Sequence, residues 1–149
     1  MTDDEGFIAE FESRRWPLEK WHHRDHVKLA YLYLRAHGLD GASSCLRDGI
    51  RAHNTAHQIP ERIDSGYHET MTQAWLRLIY LALSEYGPAA SADEFFDQHP
   101  ELSQKKTLRL FYSRERFMSL QAKAEFIEPD LAPLPVPRRP YQPGPHSTA

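Results

Sequence analysis

Three histidines within six consecutive residues are the feature of this sequence that points most directly to chemistry. They lie in Trp21-His22-His23-Arg24-Asp25-His26, and a further histidine follows in Gly66-Tyr67-His68-Glu69-Thr70. Imidazole nitrogen is a preferred ligand of zinc, iron, copper and nickel, whereas calcium and magnesium prefer oxygen. The two segments therefore indicate a transition-metal site.

The spacing of the first cluster fits a helix that carries its histidines on one side. Residues three or four apart share a helical face, so His26 can pair with either His22 or His23. The face of His26 continues into apolar residues such as Leu29 and Tyr33. His26 is therefore expected to point towards the core, together with at least one of its two neighbours.

The elements that must position these residues are predicted to be helices throughout. The predicted helices cover residues about 4–15, 22–37, 41–57, 66–85, 92–99, 102–112 and 113–126, with a break expected at Ser113 or Ser119. Gly38 is expected to end the second helix, Ser65 to cap the fourth, and Ser91 with Glu94 to form a capping box for the fifth. The expected fold is an all-α bundle of about five to six helices.

Helix order predicts where the histidines meet. Short connections make consecutive helices antiparallel. The start of the second helix, the end of the third and the start of the fourth should then lie at the same end of the bundle. These are the positions of His23 with His26, of His53 with His57, and of His68. The sequence thus predicts one convergent site.

Composition narrows the class of protein. With 149 residues, a net charge of −3 and a single cysteine, the chain is expected to be one bundle domain (1–127) without disulfides. The sequence pI near 6.3 argues against nucleic-acid binding. No apolar run is long enough for a signal peptide or a membrane span, so a cytoplasmic protein is expected.

The last segment differs from the rest of the chain. Seven of the eleven prolines lie in residues 128–149, which excludes a helix there. An extended C-terminal arm is expected, and a ligand for an SH3-like groove is the alternative.

Several residues near the histidines are candidates for substrate chemistry. Glu69, about 100° around the helix from His68, is expected to act as general base or fourth metal ligand. Tyr67, Asn54 and Arg114 are expected to position a small-molecule substrate. A salt bridge is the alternative role for Arg114. Ligation by His22 or His53 also stays open.

Four motifs together carry a family resemblance. They are Trp21-x-His23-x-x-His26-x-x-x-Ala30, Gly66-Tyr67-His68-Glu69-Thr70-x-Thr72, Tyr112-Ser113-Arg114-Glu115-Arg116 and Glu128-Pro129-Asp130-Leu131-x-Pro133-Leu134-Pro135. In this combination the chain resembles a family of small bacterial proteins of unassigned function. The resemblance groups His23, His26 and His68 and favours His23 over His22. It also implies that residues 128–135 belong to the fold, and it implies no activity.

The leading interpretation is a metal-binding protein that acts as a small mononuclear enzyme. His23, His26 and His68 would hold one zinc or iron ion, with Glu69, Tyr67 and Arg114 serving catalysis. The reaction would be hydrolytic with zinc and oxidative with iron. The alternative is a non-catalytic helical module that forms a homodimer or binds a partner, with histidines that pack the core or sense pH.

Overall fold

The structure, a computed structural model, describes residues 2–143. Its α-helices are α1 Asp3–Glu12, α2 His23–Ala56, α3 Glu69–Tyr86, α4 Ala92–Gln98, α5 Arg114–Phe117 and α6 Leu120–Ala124. Shorter 3-10 helices cover Leu18–Lys20, Pro100–Ser103 and Lys105–Leu110. Over the same residues the only strand-like pairing is an isolated bridge between Arg62 and Ser65. The all-α prediction is confirmed.

The helix α2 is broken at Gly38, as the sequence predicts. Gly38 has φ 78° and ψ −175°, a conformation that is essentially restricted to glycine. His26, before the break, and His53, after it, both contact Trp21, at ring-centroid distances of 4.1 and 4.9 Å. A straight helix would separate these histidines by about 40 Å. The two halves of α2 therefore fold back on each other, which confirms the expected antiparallel arrangement.

The central element of the core is α3. It packs along α2 and also contacts α6. Its buried side repeats at helical spacing and includes four fully buried hydrophobic residues, Ala74, Leu76, Ile79 and Leu83. None of the described helices combines the length and apolar character that crossing a membrane requires.

The start of α3 differs from the prediction. The helix begins at Glu69, and the Nδ1 atom of His68 accepts a hydrogen bond from the Met71 N–H at 3.0 Å. Ser65 instead donates its hydroxyl to the Pro60 carbonyl. Gly66 adopts a positive φ of 93°, and the Tyr67 N–H donates to the Glu61 carboxylate. These contacts hold residues before His68 in a turn, so Ser65 is not the helix cap.

The region after α4 is more segmented than expected. The N-cap of the predicted capping box is present at α4, where the Ser91 hydroxyl accepts from the Glu94 N–H; the reciprocal bond to the Glu94 side chain is not formed among the described residues. Beyond it, two 3-10 helices replace the predicted helix 102–112. Ser113 and Ser119 cap the short helices α5 and α6 through their hydroxyl groups. Of the two alternative break positions, Ser113 and Ser119, both are helix starts in the structure.

The described part of the C-terminal arm, residues 128–143, is extended and lies on the bundle. The Leu131 N–H donates to the Phe111 carbonyl, and Asp130 accepts from the Ser113 N–H. Farther along, the Tyr141 N–H donates to the Ser84 hydroxyl on α3. The expectation that residues 128–135 belong to the fold agrees with these contacts. The end of the predicted arm, residues 144–149, lies outside the described residues.

Candidate functional site

The first turn of α2 carries His23 and His26 towards the interior. The turn is capped by Asp25, whose carboxylate accepts a hydrogen bond from the His22 N–H at 2.9 Å. His22 itself is exposed. The preference for His23 over His22 therefore agrees with the direction of the side chains.

Both inward-facing imidazoles have an unused nitrogen. The Nε2 atoms of His23 and His26 are buried, and neither has a hydrogen-bond partner in the described part of the chain. The two rings border one cavity of about 50 Å³, together with His68 and Tyr67. A cavity of this size accommodates a water molecule or an ion. An unpaired buried polar atom costs about 1–3 kcal/mol, so a ligand that pairs with these nitrogens would be stabilising.

Burial keeps these two histidines neutral at neutral pH. It lowers the pKa of His23 to about 4, with the Leu102 carbonyl acting in the opposite direction and the charge of Lys105 adding to the decrease. Burial also lowers the pKa of His26 to about 3, helped by His23, Lys105 and His53. Neutral imidazole is the form that ligates a metal or donates one hydrogen bond.

The third predicted ligand, His68, reaches the same cavity with both ring nitrogens already bonded. Nδ1 accepts from the Met71 N–H, and Nε2 donates to the Phe117 carbonyl at 2.9 Å. These partners assign the proton to Nε2. The ring also stacks on Phe117. His68 thus links α3 to α5 and has no free nitrogen for a ligand in this arrangement.

Across residues 2–143, no group of three or more His, Cys, Asp or Glu side chains is arranged to hold a metal ion. The structure brings His23, His26 and His68 to one cavity, but of these three only His23 and His26 have a ring nitrogen without a hydrogen-bond partner among the described residues. In the described part of the chain, the lining offers no carboxylate or thiolate, so any further ligand to an ion at this position would be water, a bound molecule or a neutral side chain such as Thr72.

Glu69 is held by an ion pair rather than directed at the histidines. Arg47 donates from both Nε and Nη2 to the two carboxylate oxygens, the closer contact being 2.6 Å. The Tyr67 hydroxyl donates to the same carboxylate at 2.5 Å. Burial acts to raise the pKa of Glu69, but the hydrogen bonds from Arg47 and Tyr67 outweigh it and lower the pKa. Glu69 is therefore an ionised acceptor that orients Tyr67.

The histidines near the end of α2 form a second pair. His53 is fully buried, and its Nε2 donates to the Trp16 carbonyl at 3.1 Å. His57 lies 4.3 Å from it, ring to ring. The Nδ1 atom of His53 and the Nε2 atom of His57 have no partner among the described residues. Asn54, the residue after His53, is buried but does not line the cavity of His23 and His26, so its predicted role in positioning a substrate there has no support.

A larger cavity of about 640 Å³ adjoins the histidine cavity, and Met71 and Trp75 line both. The His23 ring lies 4.6 Å from the Trp75 ring. The apolar part of the lining of the larger cavity consists of Met71, Trp75, Leu108, Phe117, Met118 and Leu131. Three cationic residues, Lys105, Arg109 and Arg114, complete the lining with Tyr112 and Ser113.

Sequence reasoning identified Arg114 but missed Lys105 and Arg109. The only local signal was that Lys105 and Arg109 are basic residues four apart, a pattern too common to indicate a binding site. The structure adds that the charge of Lys105 acts on both His23 and His26. The larger cavity and the histidine pair are therefore electrostatically connected.

Comparison with known proteins gives no match to a family model, to a curated protein or to a solved structure.

Proposed function

We propose that this chain is a metal-binding protein that acts on a small molecule, with one transition-metal ion bound by His23 and His26. The observation that carries the proposal is a pair of buried Nε2 atoms without partners, on two histidines whose side chains line one cavity. Neutral imidazole nitrogen is a suitable ligand for zinc and iron. An ion between these atoms would satisfy both of them at once.

Two protein ligands leave most of the coordination sphere to water and to a bound molecule. Catalytic metal sites keep such open positions, so an enzyme fits this arrangement better than a purely structural metal site. A zinc ion would supply Lewis acidity for hydrolysis, and iron would supply oxidative chemistry.

The remaining predicted residues take revised roles in this proposal. Tyr67 borders the histidine cavity and presents a hydroxyl held by Glu69. We assign Glu69 to positioning of Tyr67, because its two oxygens already accept from Arg47 and Tyr67. Arg114 would act on the substrate from the larger cavity.

A non-catalytic helical module is the second candidate function. It is favoured by the structural hydrogen bonds of His68 and His53, each of which ties two segments together through a backbone carbonyl. Lys105 also favours it, since a positive charge beside His23 and His26 opposes the binding of a cation. In this case the two free nitrogens would pair with buried water instead of an ion.

Elemental analysis of untagged protein separates the two candidates. We expect about one zinc or iron ion per chain in the wild type and loss of that ion in His23→Ala and in His26→Ala. His22→Ala is the matched control, because this neighbouring histidine is exposed, and it should keep the metal. Circular dichroism must show that all variants are folded. A wild type without metal after incubation with zinc, iron and nickel would leave the helical module as the function.

A further inference from the structure

We infer that the larger cavity binds a small organic carboxylate with an apolar body. Its volume of about 640 Å³ lies within the range of ordinary small-molecule sites, roughly 300–1,000 Å³. Apolar and aromatic side chains form most of its wall, so the body of the ligand would be buried against hydrocarbon and aromatic rings. This inference names the substrate class of the proposed function. That the carboxylate is a substrate rests on the proposed function, whereas its binding to the cavity does not.

The charge of the ligand follows from the cations that line the cavity. Lys105, Arg109 and Arg114 all border it, and none has an ion-pair partner among residues 2–143. No Asp or Glu side chain lines this cavity. An apolar cavity with three unpaired cations is complementary to an amphipathic anion.

A carboxylate fits the donors that are present. Guanidinium groups bind planar carboxylates with two parallel hydrogen bonds, and both Arg109 and Arg114 are available for this contact. The Ser113 hydroxyl lies on the same lining. Trp75 would contact the apolar body, and because it also borders the histidine cavity, the bound molecule would lie beside His23.

Titration calorimetry on the chelator-treated full chain tests this inference without any metal. The probes are octanoate and 4-phenylbutyrate, with octanol and octylamine as controls that keep the apolar body and change the head group. We expect both carboxylates to bind, octanol to bind at least about tenfold more weakly, and octylamine not to bind. The change in tryptophan emission that octanoate binding causes should disappear in Trp75→Phe.

Variants locate the binding site. Arg109→Gln and Arg114→Gln should each weaken octanoate binding by about three- to tenfold. Lys106→Gln removes a neighbouring exposed lysine that does not line the cavity, and it should leave the affinity unchanged. Leu131→Asp places a carboxylate on the wall at a residue that is 57% exposed, so it should fold normally and abolish binding.

Three outcomes would overturn the inference: equal affinity for octanol and octanoate, an equal loss in Lys106→Gln and Arg114→Gln, or no binding of either carboxylate at millimolar concentration. Because these titrations use chelator-treated protein, their outcomes do not affect the proposal that the protein binds a metal. Conversely, absence of metal in the elemental analysis would leave carboxylate binding intact.

Discussion

The rings of His23 and Trp75 lie 4.6 Å apart, and Trp75 forms part of the wall of both cavities. This contact places the proposed metal ligand next to the proposed binding site for the substrate. A molecule held against Trp75 would therefore lie beside the ring of His23. The relationship joins two features that are separate in the sequence, the start of α2 and the middle of α3.

Lys105→Gln should change the two binding activities in opposite directions. Its charge repels a cation at His23 and His26, so its removal should raise zinc affinity by about two- to fivefold at low ionic strength. The same change removes a cation from the larger cavity and should lower octanoate affinity by a similar factor. Calorimetric titration with zinc and with octanoate measures both.

Lys106→Gln provides the control for this experiment, because Lys106 is exposed and outside the lining. It should alter neither affinity. If Lys105→Gln moved both affinities in the same direction, the proposed electrostatic connection between the two cavities would be wrong.

His68→Asn should retain the metal while losing stability. Asparagine can still cap α3 in place of His68, but it lacks the ring that donates to the Phe117 carbonyl. We expect the free energy of unfolding to fall by about 1 kcal/mol in His68→Asn and by about 2 kcal/mol in His68→Ala. Urea denaturation and elemental analysis of the same samples measure the two properties.

Loss of metal from folded His68→Asn would instead support the three-histidine site that the sequence predicts. That result would mean that the Nε2 atom of His68 leaves the Phe117 carbonyl when an ion binds.

The ion pair between Arg47 and Glu69 should contribute stability that depends on pH. It joins the second half of α2 to the start of α3, with the Glu69 side chain only 12% exposed. We expect Glu69→Gln to lower the free energy of unfolding by about 1–2 kcal/mol at pH 7. This loss is smaller than that of a fully buried ion pair, because solvent screens the partly exposed Arg47. Urea denaturation at several pH values measures the difference between the wild type and the variant.

The sign of the pH dependence follows from the lowered pKa of Glu69 in the folded state. The unfolded carboxyl, with a pKa near 4.5, binds a proton before the folded one does. The contribution of Glu69 is therefore complete above pH 4.5 and is lost as the pH falls towards the folded pKa. A difference between wild type and Glu69→Gln that stayed constant from pH 7 down to acid would contradict this interpretation.

Gly38→Ala should destabilise the fold by about 1–3 kcal/mol, because its backbone conformation is costly for any residue with a side chain. A methyl group there would meet Pro143 only at an ordinary distance of 3.5 Å, so the cost is conformational rather than steric. Gly87→Ala, with φ 81° and open space, should show a comparable loss. Urea denaturation that found Gly38→Ala as stable as the wild type would mean that the turn of α2 does not need glycine.

Local signals in the sequence were sufficient for much of the fold. Gly38 predicts the break in α2, and Ser91 with Glu94 predicts the start of α4, since both effects act within one helical turn. The antiparallel order of helices then brings His23, His26 and His68 to one cavity, as predicted.

The details that decide the chemistry depend on contacts between distant residues. The Phe117 carbonyl accepts a hydrogen bond from His68, and Arg47 donates to the Glu69 carboxylate, although neither partner is close in sequence. Likewise, the Glu61 carboxylate binds the Tyr67 N–H and delays the start of α3 beyond the predicted cap at Ser65. Such partners are determined by tertiary packing, so helical periodicity does not reveal them.

We propose that His23 and His26 bind a transition metal through their free Nε2 atoms. Titration of the metal-free full chain with Co²⁺ detects such binding, because imidazole ligation changes the visible spectrum of the ion. We predict a saturable spectrum at about one ion per chain, lost in His26→Ala and retained in His22→Ala. A wild type in which the spectrum stays that of Co²⁺ in water, or a bound spectrum that persists in folded His26→Ala, would contradict metal binding by His23 and His26.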